Sequence, residues 1–161
     1  MDAVISECGQ YRYILTRKIE QPMRWVRPVL FIMLNPSTAD AVQDDPTIRR
    51  CISFAKREGC TKLTVVNLFA LRATDPKELK KHSSPVGPDN DRFIDEQIAY
   101  HRHIGIVVAA WGAHRFAFDR ADEVASTYHE SLKCLGTTAK GDPRHPLYVR
   151  SDQPLEDFPG Y

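Results

Sequence analysis

Hydrophobic positions along this chain fall into two alternating patterns. The runs Val29 to Leu34, Leu63 to Leu68 and Ile106 to Ala110 are continuously apolar or nearly so. Such runs predict strands buried on both faces of a sheet. Between them lie stretches whose apolar residues recur three and four positions apart, which predicts helices packed by one face. One such helix starts at Asp45-Pro46, with Asp as cap and Pro at the first helical position, and ends at Gly59. Its apolar face holds Ile48, Cys51, Ile52 and Ala55. A short helical turn is predicted from Asp75-Pro76 to Lys81, followed by a Ser/Pro/Gly loop to Gly87. Helices are predicted after Pro88, with Phe93, Ile94, Ile98 and Ala99 inward, and over 115–128. Tyr11 to Arg17 reads as a partly alternating strand, and Ser131 to Leu135 as a short fourth apolar strand.

Strands alternating with helices predict right-handed crossovers and a mostly parallel sheet. The expected fold is therefore α/β, a three-layer α/β/α sandwich with a mainly parallel central sheet. A length of 161 residues suits one domain with a substantial core. We read residues 1–161 as that domain, with an N-terminal strand region over 9–20. The tail, 151–161, is polar and Pro-containing and is expected to be loosely ordered. Strand order cannot be read from the pattern.

Composition narrows the partners. A formal charge of +1 provides no bulk attraction to nucleic acid or to a membrane surface, so any nucleic-acid contact must be a local basic patch. No apolar run approaches the roughly 20 residues that span a bilayer, so no membrane partner is expected. Met1-Asp2-Ala3 leads into polar sequence, not into a basic and then apolar segment, and a cytoplasmic location is the expectation. The four cysteines make no C-x-x-C pair. Cys51 and Cys134 read as buried structural thiols, and no metal site is expected. The chain has neither a P-loop nor a G-x-G-x-x-G, so no nucleotide cofactor is expected either.

The chemistry concentrates at predicted strand ends. The first buried strand ends at Asn35-Pro36-Ser37, the second at Asn67-Leu68-Phe69 and the third at Trp111-Gly112. The fourth leads to Gly141-Asp142-Pro143-Arg144-His145-Pro146. In an open parallel sheet these ends share one edge, where ligands bind. Asn35, Asn67 and His145 are thus expected to face one pocket. Two carboxamides and an imidazole suit the edge of a planar heterocycle and the positioning of a water, because each carboxamide offers both donor and acceptor. Lys140, Arg144 and Arg150 surround His145, and Arg49 and Arg50 follow the Asn-Pro loop. Both groups are candidates for phosphate contact, though for Arg49 and Arg50 a solvated helix face serves equally well. Trp111 reads as a core aromatic, and His101 and His103 as structural residues at a helix end. Asp40, Asp44 and Asp45 form an acidic stretch beside the pocket, suited to capping and, for Asp40, to a general-base role.

Two resemblances rest on these segments. The order Asn35-Pro36-Ser37, Val66-Asn67-Leu68, Ala110-Trp111-Gly112 and His145-Pro146 resembles the motif order of the uracil-DNA glycosylase superfamily. It covers residues from about 29 to 149. The chain more closely resembles a family known as domain of unknown function 1643. That likeness rests on Leu34-Asn35-Pro36-Ser37-Thr38-Ala39-Asp40, Asp45-Pro46-Thr47-Ile48-Arg49-Arg50-Cys51, Val66-Asn67-Leu68-Phe69-Ala70 and Pro143-Arg144-His145-Pro146-Leu147-Tyr148.

The glycosylase resemblance implies a glycosylase-like fold and roles by position. Asn35 would position the attacking water. Asn67 would read the base edge, with Ser37 in the base-binding set and Phe69 as the stacking aromatic. His145 would stabilise charge on the departing base. The sequence departs from that pattern after His145-Pro146, where Leu147 stands in place of a phosphate-binding Ser. Leu147 retains the capacity to wedge into a base stack. The resemblance implies a base-recognising protein whose partner is nucleic acid, most simply DNA, or a nucleotide. Its activity would be N-glycosidic hydrolysis, with base flipping on duplex substrates. A non-catalytic nucleic-acid-binding module and an enzyme of free nucleosides or nucleotides remain the alternatives, since a fold can outlive its chemistry.

Overall fold

The apolar runs become the middle of one sheet. The structure is a computed structural model that describes residues 2–22, 25–37 and 44–161. Among these, the strands are β1 (Asp2–Ile5), β2 (Arg12–Lys18), β3 (Pro28–Met33), β4 (Lys62–Asn67), β5 (Ile106–Ala109), β6 (Leu132–Cys134) and β7 (Glu156–Asp157). Their order is β1-β2-β4-β3-β5-β6-β7. β4, β3, β5 and β6 run parallel, while β1, β2 and β7 join antiparallel at the two sides.

Pleating divides each central strand between two cores. Leu30 and Ile32 of β3 pack into one cluster, while Val29, Phe31 and Met33 pack into the other. Helix α1 (Pro46–Arg57) covers the second side with Ile48, Cys51, Phe54 and Ala55. Helices α2 (Asn90–Ile104) and α3 (Phe118–Tyr128) cover the first with Ile94, Ile98, Ala121 and Val124. Burial on both faces is why β3 shows no polar alternation. The result is a mixed α/β fold, helices on either side of a sheet whose middle is parallel.

Local rules hold at the ends of α1. Asp45 caps it by accepting from the Ile48 N–H at 2.8 Å, and Pro46 opens the first turn. Gly59 follows the helix at φ +70°, a left-handed conformation that favours glycine. The predicted turn at Pro76–Lys81 is a 3-10 helix capped by Asp75. Trp111 is buried in the core as read from the sequence. Cys51, Cys60 and Cys134 are buried and free, Cys8 is exposed and free, and burial pushes the Cys51 and Cys134 thiols up. Among the described residues no helix is long and apolar enough to cross a membrane.

The tail differs from expectation. Its residues 156–157 pair with β6, Phe158 donates its N–H to the Leu132 carbonyl at 2.9 Å, and the Phe158 ring is buried. The Trp111 Nε1–H donates to the Tyr161 hydroxyl at 3.0 Å. Leu155, Phe158 and Tyr161 are the anchors, three residues apart in a polar setting that gives no run or alternation to read. β1 was also not expected, because a four-residue, mostly exposed strand has no buried face to pattern it.

Candidate functional site

A cavity of about 620 Å³ opens where β3, β4 and β5 end. Asn35, Ser37, Asn67, Arg144, His145 and Leu147 all line it. Parallel topology produces this convergence: β3 and β4 pair in register through Met33 and Asn67, which brings their C-terminal ends level. The loop after β6 returns across β5, where Gly112 donates its N–H to the Pro143 carbonyl at 3.1 Å. Gly112 has φ +76°, and a Cβ there would lie 3.4 Å from the His145 Cβ. A side chain at 112 is therefore strained in its backbone, with its Cβ in van der Waals contact with the histidine.

Asn67 sits at the end of a buried strand, 1 % exposed. Among the described residues, neither its amide nitrogen nor its amide oxygen has a hydrogen-bond partner. Its backbone is fixed, because the Asn90 Nδ2 at the start of α2 donates to the Asn67 carbonyl at 2.9 Å and to the Leu68 carbonyl at 3.1 Å. Asn35 is oriented differently. Its Nδ2 donates to the carbonyls of Pro36 at 3.0 Å and Ala73 at 2.8 Å, leaving Oδ1 as the acceptor for a water or ligand. Ser37 donates its hydroxyl to the capping carboxylate of Asp45, which ties the Asn-Pro-Ser loop to the start of α1.

His145 accepts from the Leu147 N–H through Nδ1 at 3.3 Å. The neutral ring therefore carries its proton on Nε2. Burial pushes its pKa down to about 4, the nearby His114 adds to this, and Asp45 opposes it. His114 also lines the cavity and is likewise lowered by burial, with Asp142 opposing. His145 is thus a neutral donor near pH 7. The 3-10 turn Pro146–Tyr148 behind it is braced by Arg50, whose Nε donates to the Pro146 carbonyl at 3.2 Å and whose Nη2 donates to the Val149 carbonyl at 2.6 Å.

Other expected residues lie elsewhere. Phe69 does not line the cavity; it is buried in the core with its ring centroid 6.2 Å from that of Phe116. Arg50 serves the protein's own turn and lies 4.9 Å over the Phe54 ring. Arg49 donates to the Asp44 carbonyl at 2.7 Å, and Arg150 pairs with Asp152 at 3.0 Å. Lys140 is exposed and does not line the cavity. Arg144 does line it, with its Nε held by the Thr137 carbonyl at 2.9 Å. Of the expected basic bracket, Arg144 lines the cavity, while Arg49, Arg50, Lys140 and Arg150 do not. Asp40 lies outside the described residues.

The cavity also contains Arg12, which sequence reasoning did not assign to it. Arg12 lines it from β2 and is 3 % exposed. In the sequence it is one arginine of a partly alternating strand, with nothing to separate it from Arg17, which is buried with Asp44 at 2.7 Å. Asp45 lines the cavity as well as capping α1. Among the described residues no group of three or more His, Cys, Asp or Glu is placed to hold a metal ion.

A family model described as "Protein of unknown function (DUF1643)" matches residues 12–147. No curated protein and no solved structure matches the chain.

Proposed function

We propose, for a chain that belongs to the DUF1643 family, that the cavity binds a nucleobase and hydrolyses its bond to the sugar. The observation that carries this reading is the unpaired carboxamide of Asn67. A buried polar group left unsatisfied costs about 1–3 kcal/mol, and a ligand edge offering an adjacent donor and acceptor removes that cost. Base edges offer such pairs. Asn90 fixes the Asn67 backbone, so the side chain meets the ligand from a rigid strand end.

The remaining groups suit N-glycosidic hydrolysis. The bond from the sugar carbon to the base nitrogen breaks, and its electron pair goes to the base. His145 Nε2–H donates to a base carbonyl as negative charge grows there. A water held by Asn35 Oδ1 adds to the sugar carbon and releases its proton to solvent. The finer description of the fold, a glycosylase-like domain, is supported by the order of Asn35, Asn67 and His145 around one cavity.

The test is base release. Purified protein is incubated with oligonucleotides carrying uracil, mismatched or damaged bases, and separately with free nucleosides, and the released base is quantified. Asn35→Ala should slow release by about a hundredfold while changing affinity little, because water positioning acts in the transition state. Oligonucleotide binding without release from any substrate favours a binding module instead. The engagement of Arg49, Arg50 and Arg150 within the fold favours a second reading, action on free nucleosides or nucleotides, and release from those alone supports it.

A further inference from the structure

We infer that a second cavity, adjacent to the first, is the subsite for the phosphate of a nucleotide whose base lies against Asn67; this rests on the base-binding reading above. The second cavity measures about 380 Å³. Ser37, Ala73 and Thr74 line both cavities, so the two share a wall. The inferred ligand spans that wall, with its base on one side and its phosphate on the other.

Its lining suits an oxyanion. Arg72, His82, Gln10 and Thr74 line it, together with Ser37, whose hydroxyl proton is already given to Asp45, and no Asp or Glu among the described residues lines it. Arg72 is held at its backbone, whose N–H donates to the Gln10 carbonyl at 2.9 Å. Its Nη1 donates to the Gly9 carbonyl at 3.2 Å. Among the described residues its Nε is buried without a partner and Arg72 forms no ion pair. A guanidinium partly out of water without an anion is unfavourable, and its planar fork matches phosphate oxygens. His82 accepts the Ser84 N–H through Nδ1 at 3.1 Å, so its Nε2 carries a proton to donate. The ring is held edge-on to Tyr11, 6.2 Å between centroids. Two donor side chains, each held by the hydrogen bonds above, therefore line one cavity with no competing carboxylate among the described residues.

This arrangement gives the phosphate a place apart from Arg144, which lines the first cavity beside His145. The chemistry is that of a phosphoryl group on a nucleoside, from a free nucleotide or from a strand.

The experiment uses the full chain and three probes: inorganic phosphate, the four nucleosides, and their 5′- and 3′-monophosphates. Binding is followed by calorimetry and by the Nε–H signal of Arg72 in nitrogen–proton spectra. Phosphate alone should shift that signal. One monophosphate series should bind about ten- to a hundredfold more tightly than its nucleoside, as expected for charge-assisted hydrogen bonds. Arg72→Gln should remove that advantage and leave nucleoside affinity unchanged, and Arg72→Lys should restore part of it. Asn67→Ala should weaken nucleosides and nucleotides alike while leaving inorganic phosphate unaffected. A trinucleotide that binds more tightly than the monophosphate, with the same dependence on Arg72, assigns the phosphate to a strand; equal or weaker binding assigns it to a free nucleotide. If nucleosides fail to bind but phosphate still shifts Arg72, the base reading falls and the anion subsite stands. If phosphate leaves the Arg72 signal of the unaltered protein unmoved, or Arg72→Gln keeps the full nucleotide advantage, the subsite is overturned.

Discussion

Asn67 and His145 line the cavity with polar groups that burial leaves at a cost to the fold. The Asn67 amide is enclosed without a partner, so an apolar side chain of similar shape should suit the unliganded protein better. Asn67→Leu is expected to stabilise the chain by about 1–3 kcal/mol in urea unfolding while abolishing base binding. Equal or lower stability would show that the amide is satisfied in solution. His145 makes a related prediction about pH. Its folded pKa is about 4, against an ordinary value of 6.5. Above pH 6.5 the ring is neutral in both folded and unfolded chains and contributes nothing to the pH dependence. As pH falls from 6.5 towards 4 the unfolded chain takes up the proton first, so stability declines over that window and levels off below it. His114 and His101 are lowered as well and act in the same direction. The His145 share is therefore the difference between unaltered protein and His145→Gln in melts from pH 8 to pH 4, and Gln should flatten the curve. Any base release should keep its rate down to about pH 5, since the donor remains the neutral imidazole.

At the scale of elements, α1 organises the site from outside it. Its cap Asp45 holds Ser37, and Arg50 in its first turns holds the Pro146–Tyr148 turn that carries His145. Arg50→Ala should reduce stability by about 1.5–3 kcal/mol, the range for hydrogen bonds from a charged donor, and should weaken ligand binding through a misplaced turn. Because Arg50 braces the protein, the salt slope of oligonucleotide binding should stay unchanged in the variant. A phosphate contact would instead lower it by about 0.9. The sequence made the cap of α1 legible because Asp45-Pro46 is a local signal, and it made β3, β4 and β5 legible because continuous apolar runs mark buried strands. It made the meeting of Asn35, Asn67 and His145 legible through a rule of topology: parallel strand ends share an edge. Strand order was not legible, since pairing partners are chosen by packing across the sheet. Nor was the role of Arg50, because a basic residue on a helix looks the same whether it reaches for solvent or for a carbonyl 96 positions away. Phe69 follows a strand end, as a stacking residue would, yet its ring turns into the core beside Phe116. Sequence position fixes which end of the sheet a residue occupies, while the neighbouring helix decides which way it faces.

Across the whole molecule, the C-terminal segment closes the sheet and bears on the site from the far side of Trp111. β7 covers the outer edge of β6, so the parallel sheet does not end in an unpaired strand there. Phe158 meets Trp111 edge to face at 5.8 Å, and Tyr161 accepts from the Trp111 indole. Trp111 immediately precedes Gly112, the residue that passes close to His145. The tail thus supports the turn from which the histidine loop is placed, through contacts spread over fifty residues of sequence. Phe158→Ala should cost about 3–5 kcal/mol, the range for removing a buried aromatic from a core. Trp25 is exposed and is expected to emit as a solvated indole in both proteins, so a red shift in the variant would report Trp111 gaining access to water. Tyr161→Phe removes one hydrogen bond and keeps the ring, and should cost about 0.5–1.5 kcal/mol with a much smaller shift. If the segment instead lies loosely against the domain, both variants should melt with the unaltered protein and the indole emission should not move.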